Sequence, residues 1–138
     1  MFETLTRHIP ELQSSSFGHW NEQPEDADGS PEHPYAWPHV IYGAAVDTLQ
    51  EDLFALTDAH PEFEHTRYSD TLKENGIQWG ADTMSKADVS DKDAKCMIAL
   101  LVGAIRAERF CDGALLGFLT DGSIVKWLRR LEEIDKAN

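Results

Sequence analysis

The chain has 138 residues, of which 41% are hydrophobic and 27% charged, and a formal net charge of −13. That is the size of one ordinary domain, able to bury roughly two thirds of its unfolded surface, without the apolar depletion of a disordered chain. So acidic a balance argues against direct binding to a nucleic-acid backbone or an anionic membrane, which call for clustered Lys and Arg, and leaves basic proteins or metal cations as the partners to expect.

From the N-terminus, Phe2, Leu5, Ile9 and Leu12 recur at helical spacing and predict a short amphipathic helix over 2–13, with Pro10 as a kink. Residues 21–34 hold three prolines and no apolar periodicity, the pattern of an exposed acidic loop. The aromatic segments on either side, Ser16-Phe17-Gly18-His19-Trp20 and Tyr35-Ala36-Trp37-Pro38-His39-Val40-Ile41-Tyr42, can pair as short strands with Pro38 at an edge or end. Val46, Leu49, Leu53 and Leu56 then mark one face of a helix over Gly43 to His60, ended by His60-Pro61. Residues 69–75 predict one or two helical turns closed by Asn75-Gly76.

The clearest helical signal lies in the C-terminal third. Ser90-Asp91-Lys92-Asp93 resembles a capping box that opens a helix running to about Cys111. That helix is apolar on every side from Cys96 to Ile105, which places it at the centre of a bundle. A short helix with Leu115, Leu116, Phe118 and Leu119 follows, then a turn at Asp121-Gly122-Ser123. The last helix has Ile124, Trp127, Leu128 and Leu131 on one face and Lys126, Arg129 and Arg130 largely on the other. No internal repeat at solenoid spacing is found. The expected fold is therefore mainly α, a compact single-domain helical bundle around a buried central helix, with a small two-stranded β element near residues 17–42.

The ten-residue run Cys96–Ile105 is too short to span a bilayer, and Met1–Pro10 lacks the features of a signal peptide, so a cytoplasmic protein is expected. Cys96 and Cys111, placed about 22 Å apart on one expected helix, should be free thiols.

Asn75-Gly76-Ile77-Gln78-Trp79-Gly80 and the run Arg106-Ala107-Glu108-Arg109-Phe110-Cys111-Asp112-Gly113-Ala114-Leu115-Leu116 give the chain its most distinctive stretches. On these it resembles a family of small bacterial and phage domains of unknown function, with the resemblance running from about Tyr35 to Leu131. The resemblance implies a compact domain and no activity.

Charge is the strongest clue to function. Twelve of the 25 acids, and all six histidines, lie between Arg7 and Arg67, a stretch with no Lys or Arg. The expected domain, 1–138, thus divides into an acidic part over 1–66 and a near-neutral scaffold over 67–138. Asp47 and Glu51 form a like-charged i,i+4 pair, and Asp58 lies near the negative end of its helix dipole, each arrangement costing a few tenths of a kcal/mol. Such a face is either a solvated surface or one shaped by what it binds. In the binding reading, Asp47, Glu51 and Asp58, with the loop acids Glu25, Asp26 and Asp28, engage a basic protein surface, in its sharpest form as a nucleic-acid mimic that inhibits a nuclease or defence complex. Trp20 and Trp37 are the candidate apolar anchors.

The alternative centres on the junction Arg106, Glu108, Arg109, Cys111 and Asp112, where charges beside a thiol could activate it as an enzyme's nucleophile or line a ligand site. The blander reading packs Cys111 as a small apolar residue, has Asp112 cap the next helix, and lets Arg106 or Arg109 tie down a carboxylate. His60-Pro61-Glu62-Phe63-Glu64-His65 contains acceptable metal ligands, but lacks any established zinc or calcium spacing, and the glycines form no nucleotide loop. Neither a metal nor a cofactor is expected.

Overall fold

The computed structural model describes residues 1–14, 17–21, 27–34, 39–63 and 65–137. In chain order it contains α1 (Glu3–Thr6), α2 (Ile9–Ser14), β1 (Gly18–Asn21), β2 (His39–Tyr42), α3 (Ala44–Ala59), α4 (Tyr68–Glu74), α5 (Ala81–Lys86), α6 (Ala94–Ala107), α7 (Ala114–Thr120) and α8 (Ser123–Ala137). Two short 3-10 turns, Pro61–Phe63 and His65–Arg67, join α3 to α4. The fold is mainly helical, as its periodicities predict.

The N-terminal prediction needs correction. Residues 2–13 form two short helices rather than one kinked helix, with the break at Arg7-His8. Pro10 has no N–H to offer the carbonyl of Thr6 and its ring crowds that carbonyl, so α1 stops at Thr6 and Pro10 takes a place in the first turn of α2, where a missing N–H costs nothing. Phe2, Leu5, Ile9 and Leu12 are nonetheless all buried.

α6 is the axis of the bundle. Every residue from Cys96 to Ala104 is buried, and the helix packs against α3, α4, α7 and α8. Fully burying side chains such as Leu100 and Leu101 contributes about 1.5–3 kcal/mol each before entropy is counted. Gly103 allows a close approach on this helix: a Cβ there would meet Met84, Trp79 and Tyr68 at 3.2–3.4 Å.

Both ends of α6 differ from expectation. Asp93 is its N-cap, with a carboxylate that accepts from Cys96 N at 2.9 Å, whereas Ser90 is bound into a tight turn by Asp88. The helix ends at Ala107, so Cys111 lies beyond it in the junction; both cysteines are free, Cys96 buried and Cys111 exposed. Burial pushes the Cys96 thiol up to about 11. α5 was not expected from the sequence, because Ala81-Asp82-Thr83-Met84-Ser85-Lys86 has one large apolar residue, Met84, and no visible periodicity.

α4 closes as Asn75-Gly76 predicts. Gly76 takes φ +74, its N–H donates to Lys73 O and that of Ile77 to Leu72 O, while Leu72 and Ile77 are both buried, which together make a Schellman motif. The two strands pair antiparallel, with Gly18 opposite Tyr42 and Trp20 opposite Val40. Partners directly opposite share a face, so Gly18, Trp20, Val40 and Tyr42 line one side of the hairpin and His19 and Ile41 the other. The sequence immediately before β2, including Tyr35, Trp37 and Pro38, lies outside the described residues.

Candidate functional site

α3 places the acids in a row. Val46, Leu49, Leu53, Leu56 and Thr57 are buried, so the opposite side of the helix is left to solvent, and Asp47, Glu51 and Asp58 are all exposed there. At about 100° and 1.5 Å per residue, these three fall within roughly 40° of one another around the axis and span about 16 Å along it. Among the described residues none of the three makes a salt bridge.

Arg7, the one arginine within residues 1–66, is engaged elsewhere. Arg7 Nη2 donates to Asp52 Oδ2 at 2.8 Å, and His8 Nε2 lies 2.7 Å from the same oxygen. Burial of Asp52 opposes its ionisation, but the hydrogen bonds from His8 and Arg7 and their charge outweigh that, holding its carboxyl below the usual value. This cluster, on the flank of α3, docks the α1–α2 segment and leaves the exposed row without a salt bridge among the described residues.

The remaining predicted binding residues divide. Asp28 is exposed, but its carboxylate accepts from Ser30 N at 2.9 Å in a local turn, and the Ser30 hydroxyl, then this backbone N–H, lower its pKa. Trp20 is 45% exposed on β1, with its six-membered ring against Gly113. It is therefore partly a packing residue. Glu25, Asp26 and Trp37 lie outside the described residues, as does Glu64. His60 packs against Phe63 and His65 against Phe54, and among the described residues no three potential metal ligands converge.

The junction between α6 and α7 is built around Glu108. One carboxylate oxygen, Oε1, accepts from the Tyr42 hydroxyl at 2.6 Å and from Leu115 N at 3.0 Å; the other, Oε2, accepts from Gly113 N at 2.9 Å. The Tyr42 hydroxyl in turn accepts from Leu116 N at 2.9 Å. A helix leaves its first N–H groups without internal partners and carries partial positive charge there, so a carboxylate reaching back from the preceding turn is a strong cap. Burial, then the hydrogen bond to the Glu108 carboxylate, pushes the Tyr42 phenol well above its ordinary value of about 10.

This corrects the expected cap: Glu108, not Asp112, satisfies the start of α7, and Asp112 is exposed. Neither Arg106 nor Arg109 ties down a carboxylate among the described residues, and Arg106 Nε is buried without a partner. Gly113 is required twice over. Its φ is +89, and a Cβ there would stand 2.5 Å from Trp20 Cζ2.

Two features escape a reading of local sequence patterns. Tyr42 and Glu108 are 66 residues apart, and no local pattern joins them. Trp79 and Phe110 form an exposed edge-to-face pair, 5.6 Å between centroids, with Phe110 76% exposed and the Trp79 indole held by Nε1 donating to Gly103 O at 3.1 Å. The available signal for Phe110 was its isolation among Arg109, Cys111 and Asp112, beyond the apolar run of α6.

No helix among the described residues is long and apolar enough to cross a membrane. A family model described as a family of unknown function, DUF6508, matches residues 2–137. No curated protein and no solved structure matches the chain.

Proposed function

Since the chain belongs to the DUF6508 family, whose function is unknown, we propose from its own geometry that it is a non-enzymatic, cytoplasmic binding module whose acidic α3 face engages a basic protein surface. The observation that carries the reading is the row Asp47, Glu51 and Asp58, exposed together on one side of a well-packed helix and without a salt bridge among the described residues. Carboxylates left uncompensated in this way steer a basic partner from a distance and select against acidic ones.

Charge density supports the broad form of this reading better than the narrow one. A nucleic-acid strand carries one charge per 3.4 Å of axis, about five over the roughly 16 Å that the row covers with three. Imitation of a phosphate array, as by an inhibitor of a nuclease or defence complex, therefore depends on acids beyond α3, such as Glu25 and Asp26. The junction fits an active site less well, because both Glu108 oxygens are taken by Tyr42, Gly113 and Leu115.

The test is affinity capture from host lysate with the wild-type chain and with Asp47→Lys/Glu51→Lys/Asp58→Lys. The proposal expects the variant to lose the captured protein while its thermal midpoint changes little. Equal capture by both chains refutes it.

A further inference from the structure

Two four-residue strands are marginal on their own in water, so the hairpin's place depends on what fastens it to the helices. Of its described residues only Val40 is buried, while Trp20 and Ile41 are 45% and 44% exposed. Two of its inner-face residues make the specific attachments, and both reach the α6–α7 junction. Tyr42 bridges Glu108 and Leu116 through its hydroxyl, and Trp20 lies over Gly113. At the hairpin's base Gly43 N donates to Phe17 O at 2.9 Å, and Phe17 packs against the core.

From this arrangement we infer that the β1–β2 hairpin is a flap, latched over the α6–α7 junction by Tyr42 and Glu108, that opens as a local unit while the helices stay folded. The asymmetry of the latch explains why the scaffold survives opening. When Tyr42 leaves, Glu108 keeps its bonds to Gly113 N and Leu115 N, so α7 remains capped, and only Leu116 N passes to water. Opening uncovers Gly113 and the inner face of the hairpin, with Trp20, Val40 and Tyr42. Because β2 runs through Gly43 directly into α3, the same movement reaches the start of the acidic helix. The flap does not depend on what α3 binds.

Hydrogen exchange followed by mass spectrometry on the full chain tests this, since local and global opening leave different patterns. In the wild type, amides of 18–21 and 39–42 should exchange faster than those of α6. Tyr42→Phe removes the hydroxyl and leaves Glu108 in place; losing one hydrogen bond to a carboxylate should accelerate hairpin exchange about tenfold, with α6 and α8 unchanged. Trp20→Ala should give the same regional pattern. Hairpin amides as protected as those of α6 in the wild type would overturn the inference, as would a Tyr42→Phe chain that exchanges faster everywhere or loses its helical circular dichroism.

Discussion

Replacing Glu108 by alanine removes the acceptor of three hydrogen bonds at once: from Tyr42, Gly113 and Leu115. The two backbone donors sit at a helix start, where losing a side-chain cap costs about 1–2 kcal/mol. The phenol, partly buried, loses a charged acceptor and adds about 1–2 kcal/mol more. Glu108→Ala should therefore cost about 3 kcal/mol. With about 2.1 cal/mol/K of unfolding entropy per residue, a chain of this length has an unfolding entropy of about 0.29 kcal/mol/K, so the thermal midpoint should fall by about 10 °C. Glu108→Gln keeps one acceptor oxygen and should fall by roughly half as much. Thermal unfolding followed by circular dichroism at 222 nm provides the measurement. A loss under about 3 °C for Glu108→Ala would refute the view that this carboxylate holds the junction together.

Other consequences follow from the same contacts. Gly113→Ala must tolerate positive φ and a Cβ that displaces the Trp20 ring; a loss of about 2–3 kcal/mol in urea unfolding is expected, together with a red shift in tryptophan emission. At neutral pH a thiol reagent should modify exposed Cys111 in the native protein and reach Cys96 only after unfolding, because burial raises the latter's pKa; labelling of both at one rate would contradict this. Burial, then Glu108 and to a smaller degree Asp112, raise the Tyr42 pKa, so its contribution to stability is complete below its ordinary value of about 10 and is lost as pH rises through the higher folded value. Ultraviolet titration should show a late tyrosine that is missing in Tyr42→Phe. Asp52 behaves oppositely: its lowered pKa adds stability above an ordinary value of 3.8, lost as pH falls through the folded value, and Asp52→Asn should flatten the acid limb of a stability-versus-pH curve.

Sequence periodicity revealed the elements whose burial is one-sided or complete. α3, α6 and α8 each have enough apolar residues at helical spacing to define a face, and the structure places those residues in the core. Elements governed by a single contact were harder to read. α5 is tied to the core through Met84, and the division of α1 from α2 turns on whether Pro10 kinks a helix or begins one. At the start of α6 the capping-box pattern made Ser90 the cap, whereas in the structure it is the Asp93 side chain that reaches Cys96 N.

For the candidate site, the exposed row on α3 was legible because the buried and solvent faces of one helix are complementary. The junction was legible as a distinctive run but not in its working. Asp112, directly beside the helix start, looked like the cap, whereas Glu108 reaches it across the turn and is oriented by a tyrosine from the far end of the sequence. Such nonlocal hydrogen bonds leave no periodic trace.

The central claim, that the uncompensated row on α3 meets a basic partner, is tested most directly by measuring the partner's association rate against ionic strength. The wild-type chain should associate quickly at low salt and slow steeply as salt screens charges beyond about 10 Å, while Asp47→Lys/Glu51→Lys/Asp58→Lys should associate slowly with little or reversed salt dependence. Equal rates and equal salt dependence for the two chains would contradict the claim.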